Sequence, residues 1–172
     1  MDHTVLELKK IKYRGGLVNF SIPAGWVEEY DPNGGGTFYE DNPDAGTLRL
    51  NVLTIESPRE LTGDSAFEIL AGRGEDRQIR RLPNDNAVAR YMLPANDRGH
   101  DLHIHYWELA SPCPPRHLRL AIFSYTLLAK NVSEPSVQAE LNLLDSSIGE
   151  AEFSKVLGNS GLYPGKPWWK FW

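Results

Sequence analysis

The sequence predicts an α+β domain in which helices pack on a largely antiparallel sheet, and three observations predict it. Short runs rich in β-branched, aliphatic and aromatic residues recur along the chain between turns of Gly, Pro, Asn and Asp. A helical pattern interrupts them near residue 65, and a longer amphipathic one closes the domain before residue 150. Doubly wound parallel folds fit poorly, because helices do not alternate with single strands.

The stretch 17–22 places Val18, Phe20 and Ile22 on one face by alternation, and Pro23-Ala24-Gly25 breaks it. An extended pattern resumes over 26–30, is broken by Asp31-Pro32-Asn33-Gly34-Gly35-Gly36, and resumes over 37–40. After the turn 41–46, residues 47–55 put Leu48, Leu50 and Val52 on one side. These four strands read as an antiparallel meander. Residues 64–72 carry Ala66, Phe67, Leu70 and Ala71 at helical spacing, with Thr62 or Asp64 as N-cap. Strands follow over 76–82, 87–93, 102–109 and 117–128, the last pair joined by a loop at 110–116. Ser133-Glu134-Pro135 then opens a helix whose Val137, Leu141, Leu144 and Ile148 share a face. One domain over 1–157 is expected, followed by an aromatic tail over 158–172.

Composition fits that reading. A chain of 172 residues, 41% hydrophobic, buries about 70% of its unfolded surface, enough for a core without disulfides or structural metal. The net charge of −5 argues against a generic nucleic-acid binder, whose affinity rests on clustered Lys and Arg. The single cysteine, Cys113, has no internal disulfide partner, and no local motif marks it as a nucleophile. The N-terminal stretch lacks the apolar run of a signal peptide, and no segment approaches a membrane span. A cytoplasmic, soluble protein is the expectation.

The phrase Phe20-Ser21-Ile22-Pro23-Ala24-Gly25-Trp26, with the order of elements, resembles domains of the Mog/PsbP-like α/β/α sandwich fold, which often open with a strand running into Pro-x-Gly-Trp. The resemblance covers about residues 17–150 and rests in motif terms on Pro23, Gly25 and Trp26. It implies an α/β/α sandwich from a group that includes a Ran-binding nuclear import factor, photosystem II extrinsic subunits, bacterial adaptors for secreted effectors and many other bacterial proteins. What these share is binding to other macromolecules rather than one reaction. The matching phrase is a strand end and turn, so it carries no site residue across.

Among patterns that could carry chemistry, the sharpest is Asp101-Leu102-His103-Ile104-His105, because Asp101, His103 and His105 share one face of a strand. Two imidazoles so placed suit zinc, which wants a third protein ligand. If the flanking strands pair across 110–116, His117 falls opposite Leu109, too far to serve. In that register His103 faces Phe123 and His105 faces Ala121, a packing environment. Glu28, Glu29, Asp31, Glu40, Asp41 and Asp44 read as a solvated acidic edge, since the loop lacks the spacing of a calcium site. Arg73, Arg77, Arg80, Arg81 and Arg90 read as a charged sheet edge, and Lys9, Lys10, Lys12 and Arg14 as a second basic group. No phosphate-binding loop or nucleophile elbow occurs. Trp168, Trp169, Phe171 and Trp172 crowd the tail beside Lys166 and Lys170. Such a cluster either folds back on the domain or buries itself in a partner.

The resulting expectation is a non-catalytic protein-binding or adaptor domain without a cofactor, engaging a protein partner through its sheet face or through Trp168, Trp169, Phe171 and Trp172. A metal-dependent enzyme centred on Asp101, His103 and His105 is the alternative. The resemblance adds a third reading, a chaperone-like adaptor for a secreted effector.

Overall fold

Alternation sorts the strands into two sheets. The computed structural model describes residues 6–157. β1 (Leu8–Tyr13), β2 (Val18–Pro23) and a two-residue β10 (Glu152–Phe153) form a small antiparallel sheet in the order β1-β2-β10. β3 (Val27–Tyr30), β4 (Gly36–Tyr39), β5 (Thr47–Glu56), β6 (Gln78–Arg81), β7 (Ala87–Asp97), β8 (His100–Cys113) and β9 (His117–Leu128) form a seven-stranded sheet, ordered β3-β4-β5-β9-β8-β7-β6. All of its neighbours run antiparallel. The expected four-strand meander is therefore a three-strand one, β3-β4-β5. The strand at 18–23 leaves it to pair with β1, and its inward Val18, Phe20 and Ile22 pack onto the large sheet instead of extending it.

α2 (Pro135–Gly149) lies beside β2 in the layer of the small sheet, and α1 (Ser65–Ala71) covers part of the opposite face of the large sheet. The main core lies between the first layer and the large sheet, joining Ile11, Phe20, Leu144 and Ile148 to Phe38, Leu50, Trp107 and Phe123. The Phe20 ring meets Phe38 and Phe123 edge-on at 5.4 and 5.0 Å; truncating so buried a ring to Ala costs about 3–5 kcal/mol. A second core, of Ala66 and Leu70 against Ala87, Ala89, Ala110, Leu118 and Leu120, holds α1. The small alanines of β7 and β8 let this short helix approach closely. Pro135 takes the first helical position of α2, where its missing N–H costs nothing. Asp64 occupies the N-cap of α1 but sends its carboxylate to Arg81 Nε at 2.8 Å rather than to a helix N–H.

The hairpin register differs from expectation. β8 runs on through Ser111-Pro112-Cys113, so His103 faces Leu127, His105 faces Tyr125 and Cys113 faces His117. Pro112 is tolerated because β7 ends its pairing with β8 at Ala110, leaving that side of the strand without a ladder partner among the described residues.

Burial along these strands shows where the covering layers stop. Leu118 to Ala121 are buried consecutively, whereas from Ile122 onward only Phe123, Tyr125 and Leu127 are buried and the residues between them are half-exposed. In β8, Trp107 to Cys113 are all buried and His100 to Tyr106 are not. A strand buried on both faces loses its alternation, and one covered on a single face regains it. α1 thus covers one end of the sheet face and leaves the other bare.

Candidate functional site

The bare region is built from three strands whose outward residues the register brings together. Tyr91, Leu93 and Ala95 of β7 lie opposite Tyr106, Ile104 and Leu102 of β8, which lie opposite Ser124, Thr126 and Leu128 of β9. Leu93 is 47% exposed and the others are half-buried. The result is a continuous aliphatic and aromatic surface with a few hydroxyls.

A buried ion network fixes the border of this surface beside α1. Glu108, only 1% exposed, accepts from Arg73 Nε at 2.8 Å and from the Tyr91 hydroxyl at 2.7 Å, with Arg77 Nη1 a further 2.9 Å away, off the line of a hydrogen bond. Burial pushes the Glu108 carboxyl up, but the Tyr91 and Arg73 hydrogen bonds and the two guanidinium charges outweigh it and hold it below the usual carboxylate range. Tyr91 is held as a neutral phenol by burial and by the Glu108 charge, its pKa raised. The Arg77 guanidinium sits 4.3 Å from the Tyr91 ring centroid, and Tyr91 stacks on Tyr106 at 4.8 Å. Arg77, just ahead of β6, stacks on Tyr91 of β7, which stacks on Tyr106 of β8, and the three form one packed platform. Arg73 and Arg77 are therefore not the solvated edge that sequence suggested. Arg80 and Arg81 do remain exposed, pairing with Asp145 at 3.6 Å and Asp64 at 2.8 Å.

The opposite face of the same strands carries the histidines. His103 and His105 have ring centroids 6.3 Å apart, while Asp101 accepts from Asn96 Nδ2 at 2.9 Å in the β7–β8 turn. Among the described residues no three His, Cys, Asp or Glu side chains converge as a metal site. Burial, with Arg90 and His103 nearby, lowers the His105 pKa to about 4, so its ring is neutral at ordinary pH. Beside it, Trp107 Nε1 donates to Asp145 Oδ1 at 2.9 Å, and Arg90 lies 3.4 Å from that oxygen. Cys113 and His117 are cross-strand neighbours, but the thiol is fully buried and points to the Ser154 carbonyl, 4.0 Å away. An inert thiol is the consequence.

The acidic stretch 28–44 behaves largely as turn and edge chemistry. Asp31 accepts from the Asn33 N–H at 2.7 Å, Tyr39 donates to Glu29 at 2.7 Å, and Lys9 reaches Glu28 at 2.9 Å from a distant part of the chain. Trp168, Trp169, Phe171 and Trp172 lie outside the described residues. Among the described residues no helix is long and apolar enough to cross a membrane. Sequence reasoning named a sheet face as a contact surface but not its residues, because Tyr91, Leu93, Ile104 and Tyr106 look like core residues until the extent of α1 is known; the one signal was the polar Ser124 and Thr126 alternating with Phe123, Tyr125 and Leu127.

No family model matches this chain, and no curated protein does. Solved structures do resemble it. A Bacteroides thetaiotaomicron protein superposes with a TM-score of 0.58 at 18% identity, over 85% of this chain and 48% of its own, so this chain spans about half of that protein. LpqN of Mycobacterium tuberculosis gives 0.55 at 9% identity, covering 81% and 88% of the two chains. A point mutant of the protein Mog1 gives 0.52 at 13%, covering 85% and 95%. These likenesses show the fold, the Mog/PsbP-like α+β sandwich.

Proposed function

We propose that this chain is a non-catalytic binding domain whose contact surface is the bare face of β7, β8 and β9, with the stacked pair Tyr91 and Tyr106 as its fixed element and Leu93, Ile104 and Thr126 around it. The observation that supports the reading is the return of burial alternation at Ile122, where α1 stops and an apolar surface remains. Tyr-rich, preorganised apolar surfaces are typical anchors in protein contacts. The Tyr91 hydroxyl is committed to Glu108 and its pKa is raised by burial and by that carboxylate, so it serves the platform as a neutral phenol.

A benzophenone side chain placed at Ile104, irradiated in native cells, tests this. The expected result is a discrete adduct to another protein, missing when the probe sits at exposed Glu29 on the β3 edge and lost when Leu93 is changed to Asp. Adducts of the same pattern from both positions would overturn the reading.

A further inference from the structure

The stack of Arg77, Tyr91 and Tyr106 stops one strand short. The Tyr91 and Tyr106 rings lie 4.8 Å apart and nearly parallel, at the spacing of the strands that carry them. The Tyr106 ring therefore turns its other face towards β9, and among the described residues no ring or guanidinium stacks on it. Register puts Ser124 of β9 at the next position and Arg49 of β5 at the one after. Both point to the bare face, because their neighbours Phe123, Tyr125, Leu48 and Leu50 fill the main core on the other side. We infer that the gap over Ser124, between the Tyr106 ring and the Arg49 side chain, is a slot for one aromatic side chain of a partner protein, with a carboxylate beside that ring. The inference rests on the reading of this face as a contact surface and names the chemistry that the surface takes.

Width favours a flat group. Two strand spacings, about 10 Å, separate the Tyr106 and Arg49 columns, and the short Ser124 side chain fills little of the space above the strand between them. A ring standing midway has a neighbour about 5 Å away on each side, the interval that Tyr91 and Tyr106 already keep. An aliphatic side chain in the same place gains neither stacking on Tyr106 nor the attraction of a guanidinium to a ring face.

Charge selects the ring's company. Arg49 is exposed and makes no ion pair among the described residues. Glu29, beyond Thr37 on its far side, is taken by the Tyr39 hydroxyl at 2.7 Å. A guanidinium or ammonium entering the slot meets a like charge there. A neutral ring instead meets a cation over its face, and a carboxylate next to it in the partner meets the edge of the same guanidinium. The Ser124 hydroxyl at the floor offers an acceptor to an indole N–H or a phenol O–H, which makes Trp and Tyr better occupants than Phe.

The test titrates acetyl-Trp-Glu-amide, acetyl-Leu-Glu-amide and acetyl-Trp-Lys-amide onto the purified full chain and follows its NMR signals. The first peptide should give ring-current shifts centred on Tyr106, Ser124 and Arg49. Its affinity should be about two- to fivefold higher than that of either other peptide, and should fall by about the same factor in Arg49→Gln. Ser124→Tyr fills the slot from within and should abolish the shifts; Arg49→Gln, a change at an exposed residue, keeps the test decisive if the Ser124 variant does not fold. Shifts centred elsewhere, equal affinity for the peptides, or unchanged affinity in Arg49→Gln would overturn the inference. In cells, the protein adduct of the Ile104 probe should be lost in Ser124→Tyr. An adduct undiminished in both variants would sink this inference alone and leave the contact reading intact. Peptide shifts at the slot without any cellular adduct from the unaltered face would do the reverse.

Discussion

Ser147 of α2 and Ser21 of β2 bond reciprocally: the Ser147 hydroxyl donates to the Ser21 carbonyl and accepts from the Ser21 N–H at 3.1 Å. β10 pairs with Val18 and Asn19 and stops there, so a helix side chain satisfies the backbone where the strand partner has ended. Ser147→Ala leaves both groups of Ser21 unmet in a part-buried place. The expected loss is about 1–3 kcal/mol, read as a lower urea midpoint at unchanged slope. An unmoved midpoint would show that water serves Ser21 equally well.

The ion network at Glu108 gives the fold an acid limit. Because its folded pKa lies below the ordinary 4.5, its stabilisation is complete above that value and is lost as pH falls through the depressed one. Glu108→Gln should flatten the acid limb of a stability profile. Arg73→Ala, which strips a buried carboxylate of a partner, should cost about 3–5 kcal/mol at neutral pH. An unchanged acid limb in Glu108→Gln would place the sensitivity elsewhere.

His105 works in the same direction over a higher window. Its pKa is lowered from 6.5 to about 4, so the unfolded chain binds the proton more readily, and stability declines as pH drops from about 6.5 towards 4. Among the groups around it, Arg90 and His103 oppose its protonation, and Tyr125, its cross-strand neighbour, is held neutral by burial and its bond to Glu140. Imidazole NMR signals should show a His105 midpoint of about 4. A midpoint near 6.5 would mean that the ring is solvated.

Gly46 lies against the Tyr125 ring so closely that a Cβ would overlap it. Gly46→Ala should therefore destabilise by about 1–3 kcal/mol through overpacking. The Tyr125→Phe exchange in that background should not restore the loss, because the ring, not only its hydroxyl, is in the way.

Substitutions on the bare face should separate contact from folding. Leu93→Lys alters an exposed residue and should leave the thermal midpoint equivalent to within about 0.5 kcal/mol. The same change should abolish the Ile104 probe's adducts. A large stability loss would mean that Leu93 is packed in solution.

What the sequence disclosed follows how each residue is surrounded. The helix at 135–149 and the strand at 47–56 were legible because one face of each is buried and one is wet, the condition that periodicity reports. β1 was not, because only Ile11 and Tyr13 are buried and Lys9, Lys10 and Lys12 around them read as a basic tract. The Arg73–Glu108 contact joins residues 35 apart, a pairing that depends on where α1 ends. The placement of Asp101 and the two histidines on one side of a strand was legible; that Asp101 would turn to Asn96 instead was a matter of the hairpin's own geometry.

β8 is buried on both faces along Trp107 to Cys113 and only half-buried or exposed from His100 to Tyr106, so the β7–β8 hairpin resembles a cantilever clamped at one end. Amide exchange should be slowest at the clamp and quicken towards the tip. Trp107, where the clamp ends, is itself fastened to α2 by the indole's hydrogen bond to Asp145.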